Sequence, residues 1–328
     1  MLSVQSRPDS DKLNLPRYLN PMAESIVVVT TVDDNYVMPM TVTVHSAFKN
    51  LKSPTSRISL YVVDGGIKPS SKRKAEATLK SDRIDITWLR PDLEKLKIIP
   101  QNIVLAYYYR LLMAEILPQQ ISKAIYLDAD MIVLGDLQEL WDMDVEDSFV
   151  LAAVNGNHLS TAEGLSNYRE LGLDPDAEYF NAGLLVANLD KWREADIATQ
   201  FFDFFAKNKH TIKEHDQDIL NATLVGKWKK ISSQWNQLPQ FYLFSSFEHT
   251  PFKDSETLDQ VVNNPYVIHY GGSKPWHLTC DHPAMHIFEK YLDKTAWAGT
   301  RDNQWKRFRR KWQRFVRSHP RLAAVLGK

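Results

Sequence analysis

Three short apolar runs in this chain end abruptly in carboxylates. Ser25–Thr31 leads into Asp33-Asp34-Asn35-Tyr36, Ile58–Val63 into Asp64-Gly65-Gly66, and Ala124–Leu127 into Asp128-Ala129-Asp130. Short β-branched, apolar runs of this kind are the pattern of strands buried on both faces. Ile84–Leu89 and Phe180–Asn188 read the same way, and Val267–His269 is a last short strand. Helical patterns alternate with them: Met40–Lys49, Ser70–Leu79 with Ser70 as N-cap, Val104–Ile116 stopped before Pro118, Ile197–Lys207 and Asp216–Leu224. This alternation predicts an α/β fold with a mostly parallel sheet covered by helices. Ligands of such sheets bind beyond the carboxyl ends of the strands. Asp33, Asp64, Asp128 and Asp130 are therefore expected to collect on one rim.

Composition removes several function classes. Hydrophobic residues make up 44% of 328, enough for a sizeable core. Glycine is scarce, at 12, and neither GxGxxG nor GxxxxGK[ST] occurs, so the common dinucleotide and P-loop cradles are absent. The single cysteine, Cys280, excludes an intramolecular disulfide, an iron–sulfur cluster and a Cys-rich zinc module. Lys+Arg and Asp+Glu are equal at 40, which argues against a uniformly basic nucleic-acid binder, and no nucleic-acid partner is expected. No apolar run is long enough to span a bilayer and the N-terminus has no signal-like h-region. With the lone thiol, this points to the cytoplasm. Residues 1–24 read as a loose lead-in, 25–280 as one domain, and 281–328 as a helical extension rich in bases and aromatics.

Two constellations carry chemistry. In Asp128-Ala129-Asp130 the two carboxylates share a face, because residues i and i+2 of a strand point the same way. Such a pair repels unless a cation lies between, and hard oxygen ligands suit Mg²⁺ or Mn²⁺. The bland alternative is two solvated loop acids. The apolar strand before the pair and Met131–Leu134 after it favour the cation. In His269-Tyr270-Gly271-Gly272-Ser273-Lys274-Pro275-Trp276 a histidine at a strand end can add an imidazole ligand. The two glycines permit close backbone approach, and Lys274 is a point charge suited to phosphate. An ordinary Gly-Gly turn with a packed Trp is the competing reading.

These pieces, taken in order, resemble the family 8 retaining glycosyltransferases of the GT-A fold. That group contains bacterial lipopolysaccharide galactosyl- and glucosyltransferases and glycogenin. The resemblance runs from about Ile26 to Trp276. It rests on Thr31–Tyr36, Tyr108-Tyr109-Arg110, Tyr126–Asp130, Phe180–Gly183, Asp216-Gln217-Asp218, Trp235-Asn236 and His269…Lys274-Pro275-Trp276. It implies a Rossmann-like sheet and a hexosyltransferase using a UDP-sugar with Mn²⁺ or Mg²⁺. Asp128, Asp130 and His269 would be the metal ligands. Thr31, Asp33, Asn35 and Tyr36 would hold uracil and ribose, and Asp128, Ala129, Gly272 and Lys274 the diphosphate side. Arg110, Asn181, Asp216 and Gln217 would surround the donor sugar, whereas Tyr108 and Tyr109 are expected to pack. The family spacing HxxGxxKPW is here HYGGSKPW, one residue shorter. His269 and Lys274 survive, so the shortening falls on the glycine and backbone contacts to phosphate.

The chemistry follows from charge. Breaking the glycosidic bond adds negative charge to the leaving diphosphate, which a metal and Lys274 would stabilise while the sugar passes through an oxocarbenium-like state. At the position of the family's β-face residue stands Gln217, a poor nucleophile, so retention by same-face attack is expected. Two other classes compete: a nucleotide-sugar-binding protein without transferase activity, and a glycoside hydrolase with paired carboxylates. The first would have lost metal or sugar-site residues. The second would need neither Lys274 nor a metal set. His282 and His286, near Cys280 and Glu289, superficially suggest zinc, but no partner completes a set and a plain helix is the better reading. The acceptor, a glycan or lipid-linked glycan, is expected to meet residues 155–178 and 235–249.

The zero net charge conceals a polarised chain. After residue 300 there are ten Lys/Arg against one acid, Asp302, for +9, so the first 300 residues carry −9. Trp305, Phe308, Trp312 and Phe315 fall on one helical face, with Lys306, Arg307, Arg309, Arg310, Lys311, Arg314 and Arg317 around the rest. That composition fits an interfacial helix resting on an anionic membrane, which makes the protein peripheral on the cytoplasmic face. The competing reading is that the aromatic stripe packs on the acidic body.

Overall fold

The chain order of the computed structural model begins with β1 (Ile26–Val32), α1 (Val37–Lys49), β2 (Ile58–Asp64), α2 (Pro69–Leu79) and β3 (Ile84–Leu89). Two 3-10 turns, Leu105–Tyr107 and Tyr109–Leu112, lead into α3 (Met113–Ile116), β4 (Lys123–Leu127), β5 (Met131–Val133) and α4 (Leu137–Trp141). Then come β6 (Val150–Val154), α5 (Thr161–Gly164), β7 (Phe180–Asn188), α6 (Leu189–Glu194), α7 (Ile197–Asn208) and α8 (Asp216–Leu224). The chain ends in β8 (Trp228–Lys230), α9 (Ser255–Asn263), β9 (Val267–His269) and α10 (Met285–Leu292). The structure describes residues 25–90, 94–100, 105–244, 250–252 and 254–300. The expected lead-in and the basic aromatic segment 301–328 lie outside them.

Seven strands form one sheet in the order β3-β2-β1-β4-β7-β6-β8. All are parallel except β7, which runs antiparallel to both neighbours. Alternate strand residues feed two cores. Val28, Ile125 and Val186 pack against α1, α2 and α4, whereas Val29, Tyr126 and Leu185 pack against α3, α6, α7 and α8. This period-two division is why the strands read as continuous apolar runs: both faces are covered.

Two sequence expectations change. Among the described residues of the expected helix, 105–116, no single helix forms; the segment is broken into the two 3-10 turns and α3. In a 3-10 turn residues i and i+3 eclipse. Tyr108 and Leu111 thereby go into the core, fully buried, while Tyr107 and Arg110 face the rim. Ser70 does not cap α2. Lys68 holds the N-cap position without a side-chain hydrogen bond, and Pro69 opens the helix, as its fixed φ allows. The stretch after residue 280 continues the packing of the domain: Phe288 and Leu292 of α10 pack with Val42 of α1, and Asn50 Nδ2 donates to Tyr291 Oη at 2.7 Å.

Candidate active site at the strand rim

The carboxyl ends of β1 and β4 open onto a cavity of ≈ 560 Å³. Because β7 is antiparallel, its first residues, Asn181–Gly183, arrive at the same rim, with Leu127 opposite Leu184. The Asp128 N–H donates to the Gly183 carbonyl at 2.8 Å. A second, two-stranded ribbon pairs β5 with β9 and sets Met131 opposite His269, which swings the imidazole to the Asp128-Ala129-Asp130 turn. The hydroxyl of Thr43, buried on α1, holds that turn from below: it reaches the carbonyls of Ala129 (2.9 Å) and Met131 (2.7 Å).

Each carboxylate at this turn has one oxygen taken by the protein. Asp128 Oδ1 accepts from Arg110 Nη2 and Tyr126 Oη, both at 2.9 Å. Asp130 Oδ2 pairs with the Lys274 ammonium, which also donates to the Tyr270 carbonyl at 2.9 Å. The other oxygens face one point: Asp128 Oδ2 lies 3.8 Å and Asp130 Oδ1 3.5 Å from His269 Nε2. One ligand atom from each of the three residues lies within 4.8 Å of the other two. Two carboxylate oxygens and an imidazole nitrogen are a donor set that suits Mn²⁺ or Mg²⁺. Position 183 beside this set admits no side chain. A Cβ on Gly183 would lie 2.4 Å from His269 Cε1 and 2.9 Å from Asp128 Oδ2. Burial works against the charge on Asp130, but His269 and the Lys274 ammonium outweigh it and hold the carboxyl below its ordinary range.

Arg110, 5% exposed, ties this centre to α8. Its Nη1 donates to the Ala182 carbonyl at 2.6 Å, and its guanidinium lies 4.3 Å over the Tyr126 ring. Its Nε forms an ion pair with Asp216 Oδ2 at 2.8 Å, outside hydrogen-bond geometry. Burial raises Asp216 to about 7, with Arg110 acting against that rise. Beside it, Gln217 Oε1 accepts from Asn181 Nδ2 at 3.0 Å and from the Ala182 N–H at 3.1 Å. At the start of α1, Asp33 accepts the N–H groups of Asn35 (3.0 Å) and Tyr36 (3.2 Å), an Asx turn that fixes these residues before any ligand arrives. Tyr36 meets Trp276 edge-on at 5.8 Å, linking this turn to the Lys274 loop.

The sequence-expected residues Thr31, Asp33, Asn35, Tyr36, Arg110, Asp128, Ala129, Asp130, Asn181, Asp216, Gln217, His269 and Lys274 all line this cavity. Gly272 does not. Gly271 faces the cavity instead, while Gly272, at φ +80°, makes the turn. Asp64 also leaves the group: its carboxylate accepts the N–H groups of Gly66 and Ile67 and pairs with Lys72. Tyr108 and Tyr109 are buried, as packing residues. His282 is buried edge-on to Tyr242 and Tyr270, whereas His286 is exposed on α10, so the two do not converge. The sequence reading missed Tyr107 and His215, whose rings stack at 4.9 Å on the cavity wall. It also gave no role to Tyr126, although Tyr126 stands two residues before Asp128 on the same strand face, which a period-two reading could have found.

A model of glycosyl transferase family 8 matches residues 27–280. The chain belongs to that family. Among curated relatives, General stress protein A of Bacillus subtilis is 29% identical over 286 residues, covering 84% of this chain and 95% of that protein. The lipopolysaccharide 1,2-glucosyltransferase of Escherichia coli is 27% identical over 84% of this chain and 80% of its own. The crystal structure of galactosyltransferase LgtC in complex with donor and acceptor sugar analogs superposes with a TM-score of 0.70. It is 27% identical and covers 86% of this chain and 99% of LgtC. The mostly parallel sheet flanked by helices is thus the GT-A fold of LgtC.

Proposed function

We propose that this chain is a metal-dependent, retaining hexosyltransferase. It moves glucose, galactose or a uronic acid from a UDP-sugar to a hydroxyl of a glycan or glycolipid. The observation that carries this reading is the convergence of Asp128 Oδ2, Asp130 Oδ1 and His269 Nε2 on a cavity shared with Arg110, Asn181, Asp216 and Gln217. A bound Mn²⁺ or Mg²⁺ supplies Lewis-acid neutralisation of the diphosphate. Lys274 adds a second positive charge on the leaving-group side. Thr31 at the end of β1 and Asp33, Asn35 and Tyr36 on their preformed turn take uracil and ribose.

Retention by same-face attack is supported by what surrounds Gln217. Its oxygen is already engaged by Asn181 and the Ala182 N–H, and an amide is a poor nucleophile. Neither flanking acid replaces it. Asp216 is paired with Arg110. Asp218 is fully buried, accepting from Tyr179 Oη and the N–H groups of Lys213 and Glu214. The departing phosphate oxygen then accepts the proton of the attacking hydroxyl. No helix among the described residues is long and apolar enough to cross a membrane. The basic, aromatic segment 301–328 supports a peripheral position on an anionic cytoplasmic membrane face, within reach of a lipid-linked acceptor.

The test is a donor-hydrolysis screen across UDP-sugars with Mn²⁺, repeated in EDTA and with Asp130→Ala and His269→Ala. Release of UDP from one or a few donors is expected, lost in EDTA and in both variants, with an α-configured product by NMR of its anomeric proton. Turnover undiminished in EDTA, hydrolysis of simple glycosides without nucleotide, or a β product would each refute the reading.

A further inference from the structure

His269 can serve the three-atom centre only if its Nε2 carries a lone pair, and the partner of its other ring nitrogen bears on that. Ring nitrogens take their protonation from the partner of the opposite nitrogen. Here that partner is Asn236 Oδ1, 2.9 Å from His269 Nδ1. An amide oxygen only accepts, so the orientation of the Asn236 amide decides the tautomer. That orientation follows from two backbone N–H groups, which only donate. The Gly183 N–H reaches Asn181 at 3.0 Å, so the atom it meets is Oδ1. Asn236 approaches the same oxygen at 2.8 Å and must present its Nδ2 there. Its oxygen is thereby turned to His269, which must hold its proton on Nδ1. The other arm of Asn181 is Nδ2 and meets Gln217 Oε1, which the Ala182 N–H independently identifies as oxygen. Both ends of the amide chain agree.

We propose that Asn236 is a positioning residue that fixes His269 as its Nδ1–H tautomer, through an amide chain anchored on β7 that also orients Gln217. The link between Asn236 and His269 is closed to solvent, whereas Asn181 and Gln217 are half-buried on the cavity wall. Asn236 is fully buried and His269 is 5% exposed. The turn that carries Asn236 is itself fastened to β9: the Gln237 N–H donates to the Val267 carbonyl at 2.8 Å, and the His269 N–H to the Gln237 carbonyl at 2.9 Å. The Trp235 ring anchors it against Tyr266 at 4.9 Å. Partners of this kind behind a metal-ligating histidine change metal affinity by about 10- to 100-fold when removed. The same Asn181 serves both Asn236 and Gln217, so one substitution reaches the metal side and the sugar side together.

The inference rests on the metal-site reading above, and its test is separable from turnover. Long-range ¹H–¹⁵N spectra of the Mg²⁺-loaded full chain, in which the carboxylates beside Nε2 no longer compete to hold a proton there, report each histidine tautomer, with a His269→Gln spectrum identifying the resonance. Wild-type protein is expected to show the Nδ1–H form. Asn236→Leu, which keeps volume but removes the acceptor, should lose that preference and bind Mn²⁺ about tenfold or more weakly in an EPR titration. Asn236→Asp keeps the acceptor and should retain the tautomer and most of the Mn²⁺ affinity. An Nε2–H form in the wild type overturns the proposal, whatever the variants do and whether or not a UDP-sugar is turned over. So does undiminished Mn²⁺ binding by Asn236→Leu, or an equal loss in the Leu and Asp variants. If the Leu variant fails to fold, the wild-type tautomer alone decides.

Discussion

Gly183 bears on function through what it lacks. Its φ is not left-handed, so its role is space: a methyl there would overlap the His269 ring and crowd Asp128 and Asn181. Gly183→Ala is expected to lower donor hydrolysis by at least about 100-fold, because three site residues must shift to admit one carbon and misplacements near 1 Å cost about that much. Circular dichroism and the urea midpoint should change little by comparison; a fully active Ala variant would contradict the geometry. Asp216 gives a pH prediction at the same scale. Its folded carboxyl is raised by burial to about 7, above the ordinary value of 3.8 in the unfolded chain. Below 3.8 both states hold the proton. Between the two values only the folded state does, so stability falls as pH rises, and above about 7 the dependence ends. Asp216→Asn removes this contribution. The stability difference, wild type minus variant, should therefore decline from pH 4 to 7 in thermal melts, and a difference that rises over that window would be the opposite sign.

At the scale of elements, the strands carry the rim but α1 holds the acidic turn in place. Thr43 is 1% exposed, and its single hydroxyl proton lies between the carbonyls of Ala129 and Met131 while its oxygen accepts from the Met131 N–H. Thr43→Val leaves those groups buried without their partner. A loss of about 1–3 kcal/mol in urea unfolding is expected, with a weaker Mn²⁺ response because the turn between Asp128 and Asp130 loses its brace. Much of this architecture was legible. Strands β3, β7 and β9 and helix α8 have the bounds that their apolar patterns predict, because packing against a core imposes such a pattern on strand and helix alike. Strand direction was not legible, because an apolar run reads the same either way. Yet it is the reversal of β7 that delivers Asn181 and Gly183 to the site. The broken 105–116 segment escaped as well: its residues suit a helix, and tertiary demands on Tyr107, Tyr108 and Arg110 override that preference. Asp128, Asp130 and His269 could be found as ligand types in order. Asn236 could not be given its role, since its partners, Asn181 and His269, are distant in sequence.

For the whole molecule, charge is distributed so that the last 28 residues oppose the rest, +9 against −9. The described chain approaches that segment along a firm path. The Ala296 N–H donates to Thr78 of α2 at 2.9 Å, and Lys74 lies 5.7 Å over the Trp297 ring. A chain ending at Thr300 therefore keeps every described contact of α10 and α2. Each base near an anionic surface contributes about 1 kcal/mol, and the attraction decays within a Debye length. The full chain is expected to sediment with vesicles containing anionic lipid at low salt and to be released as salt rises. The Thr300 truncation should stay in the supernatant while still releasing UDP from a soluble donor. If both chains sediment alike, or neither does at low salt, the segment is not a membrane contact, and packing of its aromatic stripe on the acidic body becomes the better account. That account makes its own measurable difference: truncation would then lower the urea midpoint, whereas a membrane helix leaves it unchanged.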